Sequence, residues 1–285
     1  MTNLIEIENL CKKYDGFSLQ NISLAIKKGF ITGFIGPNGA GKTTTIKAIL
    51  NLIHPDSGRI QIFGKTQAGN DAMSEMGIVM DNPYYLEDWT MKDVESAVSL
   101  FYKKWETQTY NQLLERFNIA KTKKVKELSR GMKVKLQLAV ALSHNARVLL
   151  LDEPTSGLDP VARDEICDLL QDFISDEQRA VLFSTHITSD LEKIADFITF
   201  IQNGEIVYSG TKDGVLEKYA RITGGPGELR QGQKDLIIGY REHGLSFEGM
   251  IQSSDCGHFS SNFVIEPISL DEIIICMNKG GNQHV

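Results

Sequence analysis

Runs of apolar residues alternate with polar segments along much of the chain, and their lengths predict an α/β fold. Residues 31–35 are almost all apolar, as expected for a strand buried on both faces of a sheet. A glycine-rich turn at 36–41 and a helical segment at 42–52 follow. Strands that alternate with helices indicate a sheet with right-handed crossovers. The other candidate strands are residues 4–7, 19–26, 78–80, 148–151, 181–184 and 197–201.

Two further segments depart from this alternation. Residues from about 89 to 146 are rich in helix formers, so we expect a helical subdomain inserted between strands. Glycine and proline at 223–227 predict a linker, which we place at 219–227, after a main domain at 1–218. Residues 228–285 are then a small C-terminal α/β appendage, with strand-like runs at 236–238 and 247–251. It closes with a capping-box pattern at 269–272, before the apolar run 273–277.

Composition narrows the class of protein. The 285 residues are 41% hydrophobic and 24% charged, as in ordinary globular proteins. The net charge of −7 gives no general attraction to nucleic acid or to anionic lipid. The N-terminus does not resemble a signal peptide, and we find no apolar run of the roughly 18 residues that a membrane span needs. The four scattered cysteines are typical of reduced thiols in a cytosolic protein.

A phosphate-binding loop is the strongest motif. Residues 36–43 match GxxxxGK[ST] at every fixed position, between a predicted strand and a predicted helix. Glycines let backbone N–H groups wrap phosphate oxygens, and the helix directs its positive end at them. Lys42 would reach the β- and γ-phosphates, while the Thr43 hydroxyl would bind Mg²⁺. The expected nucleotide-binding residues of this loop are Gly36, Pro37, Asn38, Gly39, Ala40, Gly41, Lys42, Thr43 and Thr44.

Two adjacent carboxylates end the apolar run 148–151. Two acids at the end of a buried strand are costly unless a cation or a reaction uses them. Asp152 suits a residue that holds Mg²⁺, directly or through water. Glu153 suits a general base that orients and polarises the attacking water.

Together with these motifs, three short segments and an aromatic residue resemble the ABC ATPase family. The motifs occur in the same order as in the family, and the resemblance covers nearly all of residues 1–218. Leu-Ser-Arg-Gly-Met at 128–132 is similar to its signature, usually LSGGQ, and Pro154 to Asp159 resembles the segment ending in its D-loop. Ser-Thr-His at 184–186 resembles its histidine switch, and Tyr14 resembles the aromatic on which adenine stacks. Purely structural roles remain open for three of these residues: Tyr14 as a packing residue of the surface or core, His186 as a structural histidine and Asp159 as a helix cap.

The resemblance implies a P-loop NTPase core of the ABC ATPase type, with an antiparallel β subdomain, the helical subdomain and the C-terminal appendage. It implies hydrolysis of ATP with Mg²⁺, in which His186 contacts the γ-phosphate and the attacking water. Ser129 and Gly131 would complete the ATP site of a second subunit, a homodimer partner or a paralogue, and Asp159 would link the two sites. Closure of this head-to-tail dimer around ATP would drive a separate membrane permease, with the chain on the cytoplasmic face of the membrane.

Three positions differ from the family pattern, Arg130 and Met132 in the signature and Asp81 in the Q-loop. Arg130 followed by Gly131 and Met132 resembles the ATP subunits of bacterial ABC-2-type exporters, which indicates an exporter. Asp81 stands where the family has a glutamine in its Q-loop. A carboxylate there can still approach Mg²⁺, so we expect Asp81 to be a third metal-site residue with altered geometry.

Other functions remain in competition. A soluble ABC ATPase acting on nucleic acid or ribosomes is the main alternative, disfavoured by the acidic composition and the single phosphate loop. An inactive ATP-binding module is disfavoured because Lys42, Asp152, Glu153 and His186 are all present. The aromatic residues 84, 85 and 89, beside Pro83, line by resemblance the groove that receives a permease helix. Core packing is an equal alternative for them.

Overall fold

A computed structural model describes residues 2–66, 70–81, 84–230 and 232–280. The chain divides into two compact units, Met1–Ser209 and Gly210–Val285. The boundary falls inside a strand, nine residues before the predicted linker. Within the described residues, no helix is long and apolar enough to cross a membrane.

The first unit contains an antiparallel sheet and a larger sheet. In chain order its strands are β1 (Asn3–Tyr14), β2 (Phe17–Lys27), β3 (Ile31–Ile35), β4 (Ser57–Ile62), β5 (Lys65–Thr66), β6 (Met76–Val79), β7 (Val148–Asp152), β8 (Ala180–Thr185), β9 (Phe197–Gln202) and β10 (Glu205–Thr211). The antiparallel sheet has the order β2-β1-β4-β5. The larger sheet has the order β10-β9-β3-β8-β7-β6, and its strands β9, β3, β8, β7 and β6 run parallel.

Helices connect the parallel strands, as the alternating pattern predicts. They are α1 (Lys42–Ile49), α2 (Asn70–Met73), α3 (Met91–Val98), α4 (Thr107–Arg116), α5 (Arg130–Leu142), α6 (Pro160–Ile174) and α7 (Thr188–Ile194). Helices α3 to α5 lie between β6 and β7 in the chain, where the sequence favours helix. Helix α1 ends at Ile49 because Asn51 adopts a left-handed backbone with φ 55°.

Burial explains why the central strands read as continuous apolar runs. Every residue of β3, β7 and β8 is buried, since each of these strands has neighbours on both sides and is covered on both faces. The core of the first unit joins both sheets to α1 and includes Ile5, Ile22, Ile46, Leu150 and Leu182. This core fixes the strand ends that carry the polar motifs.

The second unit is a four-stranded antiparallel sheet with its own core. Its elements are α8 (Lys212–Lys218), β11 (Tyr219–Gly224), β12 (Ile238–His243), β13 (Ser246–Gln252), β14 (Val264–Pro267) and α9 (Leu270–Gly280), with strand order β12-β13-β11-β14. The predicted capping box is confirmed, because Ser269 N donates to Glu272 Oε2 (2.9 Å) and Glu272 N donates to Ser269 Oγ (3.2 Å).

The predicted linker at 219–227 is wrong in its first part. Residues 219–224 form β11, a central strand of the second sheet, paired with both β13 and β14. Ala220 and Ile222 alternate with polar residues and are buried, which is the pattern of a strand with one face on a core. The predicted strand at 236–238 is also displaced, because Lys234–Leu236 is a 3₁₀ turn and β12 begins at Ile238.

Candidate functional site

The carboxyl ends of three neighbouring strands gather the polar motifs at one edge of the larger sheet. In the parallel register Ile35 of β3 lies opposite Thr185 of β8, and Asp152 of β7 lies opposite Ser184 of β8. The segments that follow these strands therefore start side by side. Crevices at this edge are where open α/β sheets bind their ligands.

The loop after β3 has the backbone that a phosphate cradle needs. Gly39 and Gly41 have φ of 82° and 116°, in the left-handed region that favours glycine. A Cβ on Gly36 would lie 2.3 Å from the Ile201 carbonyl oxygen, so that position is closed to larger residues by packing. The N-terminus of α1 follows directly, and its unpaired N–H groups are suited to phosphate oxygens.

Lys42 is buried and lies between the loop and a carboxylate. Its Nζ donates to the carbonyl oxygens of Gly36 (2.6 Å) and Pro37 (3.2 Å). It also forms an ion pair with Glu153 Oε1 at 3.2 Å. An ammonium in this position can exchange the carboxylate for an oxygen of a bound phosphate without leaving the loop.

Thr43, Asp152 and Ser184 form a second contact set. Thr43 Oγ1 donates to Asp152 Oδ2 (2.7 Å), and Ser184 Oγ donates to Asp152 Oδ1 (3.1 Å). Burial raises the pKa of Asp152 above its ordinary value, and the nearby Glu153 charge acts in the same direction, against these two hydrogen bonds. A carboxylate that is costly to ionise alone is suited to a cation.

The donor set fits Mg²⁺ in company with phosphates. The Thr43 hydroxyl and the Asp152 carboxylate offer hard oxygen ligands within hydrogen-bonding distance of each other. Among the described residues, there is no cluster of three or more His, Cys, Asp or Glu side chains that could hold a metal alone. Mg²⁺ commonly takes one or two protein ligands and completes its shell with substrate phosphates and water.

Glu153 connects the phosphate loop to the histidine. Its Oε2 lies 2.7 Å from His186 Nδ1, while its Oε1 faces Lys42. Its backbone has φ 52°, which is uncommon for a residue with a side chain and is typical of functional sites. The Glu153 N–H donates to the Ser184 carbonyl at 2.9 Å, so β8 holds this turn in place.

Tyr14 lies beside the phosphate loop. The residue is 42% exposed, and it lines an open cavity of about 430 Å³ together with Phe17 and Gly39. An exposed aromatic face next to a phosphate cradle provides a stacking surface for a base.

The signature residues Ser129 and Gly131 lie at the start of α5, where Ser129 is exposed and Gly131 is half-buried. Ser129 is the N-cap of this helix, and its hydroxyl accepts from Met132 N at 3.3 Å. A Cβ on Gly131 would lie 3.5 Å from the Leu158 side chain. Neither contact involves residues 36–44. Asp159 caps α6, since its carboxylate accepts from Val161 N (3.1 Å) and Ala162 N (3.0 Å), and these backbone hydrogen bonds lower its pKa.

Asp81 is engaged differently from the sequence expectation. Its carboxylate forms an ion pair with the Arg130 guanidinium, at the start of α5. This pairing gives Asp81 a role that needs no metal. Sequence reasoning did not identify Arg130 as its partner. It quoted Ser184 as part of the 184–186 motif but gave its hydroxyl no role, whereas this hydroxyl donates to Asp152. Pro83, in the predicted aromatic cluster, lies outside the described residues.

A parallel sheet, a glycine-rich loop leading from β3 into a helix, and an Asp-Glu pair at the same edge, at the end of β7, define a P-loop nucleotide hydrolase. A family model described as "ABC transporter" matches residues 19–156. The Bacillus subtilis (strain 168) ABC transporter ATP-binding protein YtrB is 33% identical over 222 residues, which cover 77% of this chain and 76% of that protein. The lantibiotic transport ATP-binding protein SrtF of Streptococcus pyogenes is 34% identical over 214 residues, covering 74% and 92%.

Solved structures agree. The ATP-binding subunit of an ABC transporter superposes with a TM-score of 0.68 at 26% identity, covering 74% of this chain and 91% of that one. The chain belongs to the ABC transporter ATP-binding proteins, and it is an ATP-binding, ATP-hydrolysing subunit of such a transporter. The nucleic-acid alternative receives no support from these relatives.

Proposed function

We propose that this subunit powers an exporter, and that two copies of its ATP site close head to tail during each cycle. The observation that carries the proposal is the contact network of Lys42, Glu153 and His186 beside the Thr43–Asp152 pair. These contacts bring an ammonium suited to phosphate, a candidate general base and two hard oxygen ligands to one edge of the sheet, which supports cleavage of a nucleoside triphosphate there.

Each residue has a defined part in this proposal. The loop residues 36–44 bind the phosphates, Tyr14 stacks on the adenine, and Lys42 pairs with β- and γ-phosphate oxygens. Thr43 and Asp152 hold Mg²⁺, which when bound neutralises charge on the phosphate oxygens.

Glu153 and His186 act on the attacking water. Glu153 takes a proton from it, the water oxygen bonds to the γ-phosphorus, and the bond to the β-bridging oxygen breaks to give ADP and phosphate. His186, held at 2.7 Å from Glu153, contacts the γ-phosphate and fixes the direction of that carboxylate.

The second subunit supplies what one chain lacks. Ser129 and Gly131 lie at the exposed start of α5, where a hydroxyl, an amide and the positive end of a helix can face a phosphate. Because their contacts in the same chain do not reach residues 36–44, we assign them to the ATP held by the partner. Asp159 lies 30 residues further on, and we assign it to communication between the two sites.

An apolar groove is the proposed contact with the permease. Tyr84, Leu86, Leu100 and Phe101 are exposed, with Leu100 at 84% and Phe101 at 80%. Of these four residues, Tyr84 and Phe101 line a cavity of about 470 Å³. Exposed apolar clusters of this kind mark interaction sites, and aromatic residues are favoured anchors. We propose that a cytoplasmic segment of a membrane permease binds here, which would hold the chain at the cytoplasmic face of the membrane.

The exporter assignment rests on the signature and on a relative. The Arg-Gly-Met form at 130–132 resembles bacterial ABC-2-type exporters. SrtF, at 34% identity, is named for lantibiotic transport. The substrate itself is chosen by the permease, whose sequence lies outside this chain.

Phosphate release by the purified chain tests the catalytic assignment. Glu153→Gln keeps the size of the side chain and removes its basicity, so we expect hydrolysis to fall about 100-fold or more while ATP binding is retained. Asp164→Asn, at an exposed carboxylate on α6, is the matched control. A Glu153→Gln chain that hydrolyses ATP at the parent rate would remove Glu153 from the reaction.

A further inference from the structure

Helix α5 contacts the two residues that follow β6, Met80 and Asp81, at two separate points. The first is a buried amide clamp. The Gln137 side chain, 5% exposed, accepts from Met80 N (3.0 Å) and donates to Met80 O (2.9 Å). Both backbone groups of Met80 are thus satisfied by one side chain. A buried pair of this kind is expensive to break, because it would leave polar groups without partners.

The second point is the ion pair between Arg130 and Asp81. Both side chains are about half exposed, at 47% and 52%. The Arg130 side chain also lies over Gly157, where a Cβ would be 3.2 Å from its Nη1. Gly157 has φ 70° and belongs to the segment between Glu153 and Asp159. Arg130 therefore touches two of the chain segments that leave the catalytic edge of the sheet.

The two points are aligned along one helix. Arg130 and Gln137 are seven residues apart, about two turns, so they lie on the same side of α5. On the sheet, Val79 of β6 pairs with Leu151 of β7, so residues 80 and 81 leave the edge beside Asp152. Ser129, the N-cap of the same helix, is adjacent to Arg130. The position of the signature turn is thereby tied to the strand end next to the catalytic carboxylates.

We propose that Asp81, Arg130 and Gln137 are positioning residues that set the signature turn 129–131 for the ATP of the second subunit. Asp81 acts through Arg130 and not as a ligand of Mg²⁺. This inference rests on the proposed function, in which Ser129 and Gly131 contact the partner's nucleotide. Met80 and Gln137 also line the apolar groove, so a permease segment bound there would touch the same clamp.

Charge exchange tests the inference in chains that also carry Glu153→Gln, which keeps ATP intact. Asp81→Arg and Arg130→Asp each replace attraction with repulsion. An exposed pair contributes modestly, but two copies act in each dimer, so we expect each change to raise the ATP concentration for half-maximal dimerisation about tenfold. The double exchange should return it to within about threefold of the parent. Binding of a fluorescent ATP analogue to the monomer should change less than about twofold in all three.

A control exchange and a milder substitution of Asp81 decide between the roles. The control exchanges Arg116 and Asp172, an exposed pair that joins α4 to α6 at 3.5 Å and lies away from the signature turn. It should leave dimerisation unchanged. Asp81→Asn is a milder change that keeps the size of the side chain and removes its charge. It should raise the half-maximal ATP concentration about threefold and leave the Mg²⁺ requirement of ATPase activity (measured with Glu153 restored) unchanged.

Other outcomes overturn the inference. A raised Mg²⁺ requirement in Asp81→Asn with normal dimerisation would make Asp81 a metal ligand. If the double exchange needs as much ATP for half-maximal dimerisation as the single variants, the ion pair between Asp81 and Arg130 is not what positions the turn. If the Glu153→Gln parent itself fails to dimerise with ATP, the proposed function fails and this inference falls with it.

Discussion

At the catalytic edge, single residues act in pairs that two strand ends bring together, Thr43 with Asp152 and Lys42 with Glu153. Lys42 and Thr43 follow the glycine turn directly, and Asp152 and Glu153 end an apolar strand. The contacts Thr43–Asp152 and Lys42–Glu153 then follow from two strand ends that meet at one edge. The Asp81–Arg130 pair joins residues 49 apart, and it depends on how α5 lies against β6. No local motif carries that information.

His144 gives a pH prediction at the same scale. It is buried, its ring stacks on Tyr102 with 3.9 Å between centroids, and burial lowers its pKa from 6.5 to about 4. Between these values the unfolded chain binds a proton that the folded chain excludes, so stability must fall as the pH falls from 6.5 towards 4.

The matching variant is His144→Phe, which retains a ring for stacking and does not titrate. We expect the native chain to lose about 1–2 kcal/mol more unfolding free energy than His144→Phe between pH 7 and pH 5. Urea unfolding at several pH values measures this. His54→Phe, at an exposed histidine, is the control. Parallel pH profiles for the native chain and His144→Phe would show that burial of His144 does not shift its titration.

At the scale of elements, the strands buried on both faces were predicted to within one residue at each end, whereas β11 of the second sheet was mistaken for a linker. Residues 31–35 and 148–151 are long apolar runs, and both are strands of the parallel sheet. Strand β11 has only Ala220 and Ile222 on its buried face, and it ends in Gly224. The glycine-rich end of β11 therefore resembles a linker in the sequence. Pairing with β13 and β14 supplies the hydrogen bonds that make it a strand, and such long-range pairing cannot be read from a short window.

The attachment of α5 to β6 gives a prediction about stability. Gln137→Leu keeps a similar volume but leaves the Met80 N–H and C=O without partners, so we expect a loss of about 1–3 kcal/mol in unfolding free energy. Chemical denaturation of the nucleotide-free chain measures it. Gln178→Leu, at an exposed glutamine beyond α6, is the control. Equal stability of Gln137→Leu and the native chain would show that the buried clamp contributes nothing.

For the whole molecule, the fold class and the catalytic centre follow from sequence, whereas the surfaces that meet other chains need the structure. The apolar groove combines residues from separate segments, among them the exposed Tyr84 and Phe101. From the sequence, core packing and a permease groove are equal alternatives for the aromatic residues 84, 85 and 89. In the structure Tyr84 is exposed, whereas burial raises the pKa of Tyr85, so neighbouring tyrosines have different environments.

Substitution in this groove tests the contact with the permease. Phe101→Asp places a charge in the apolar patch, so we expect at least tenfold less permease to co-purify with the tagged chain from gently solubilised membranes. ATP binding should be unchanged. Leu245→Asp, at an equally exposed apolar residue in the second unit, is the control. If Phe101→Asp recovers as much membrane protein as the native chain, the permease binds at another surface.

The central claim is that ATP joins two chains, each of which completes the other's site. Light scattering of Glu153→Gln at saturating ATP and Mg²⁺ tests it most directly. The account predicts a mass of about twice the 31.8 kDa of one chain, and a return to 31.8 kDa when Ser129→Arg is added to block the signature turn. A chain that binds ATP and stays at 31.8 kDa without Ser129→Arg would contradict the shared site.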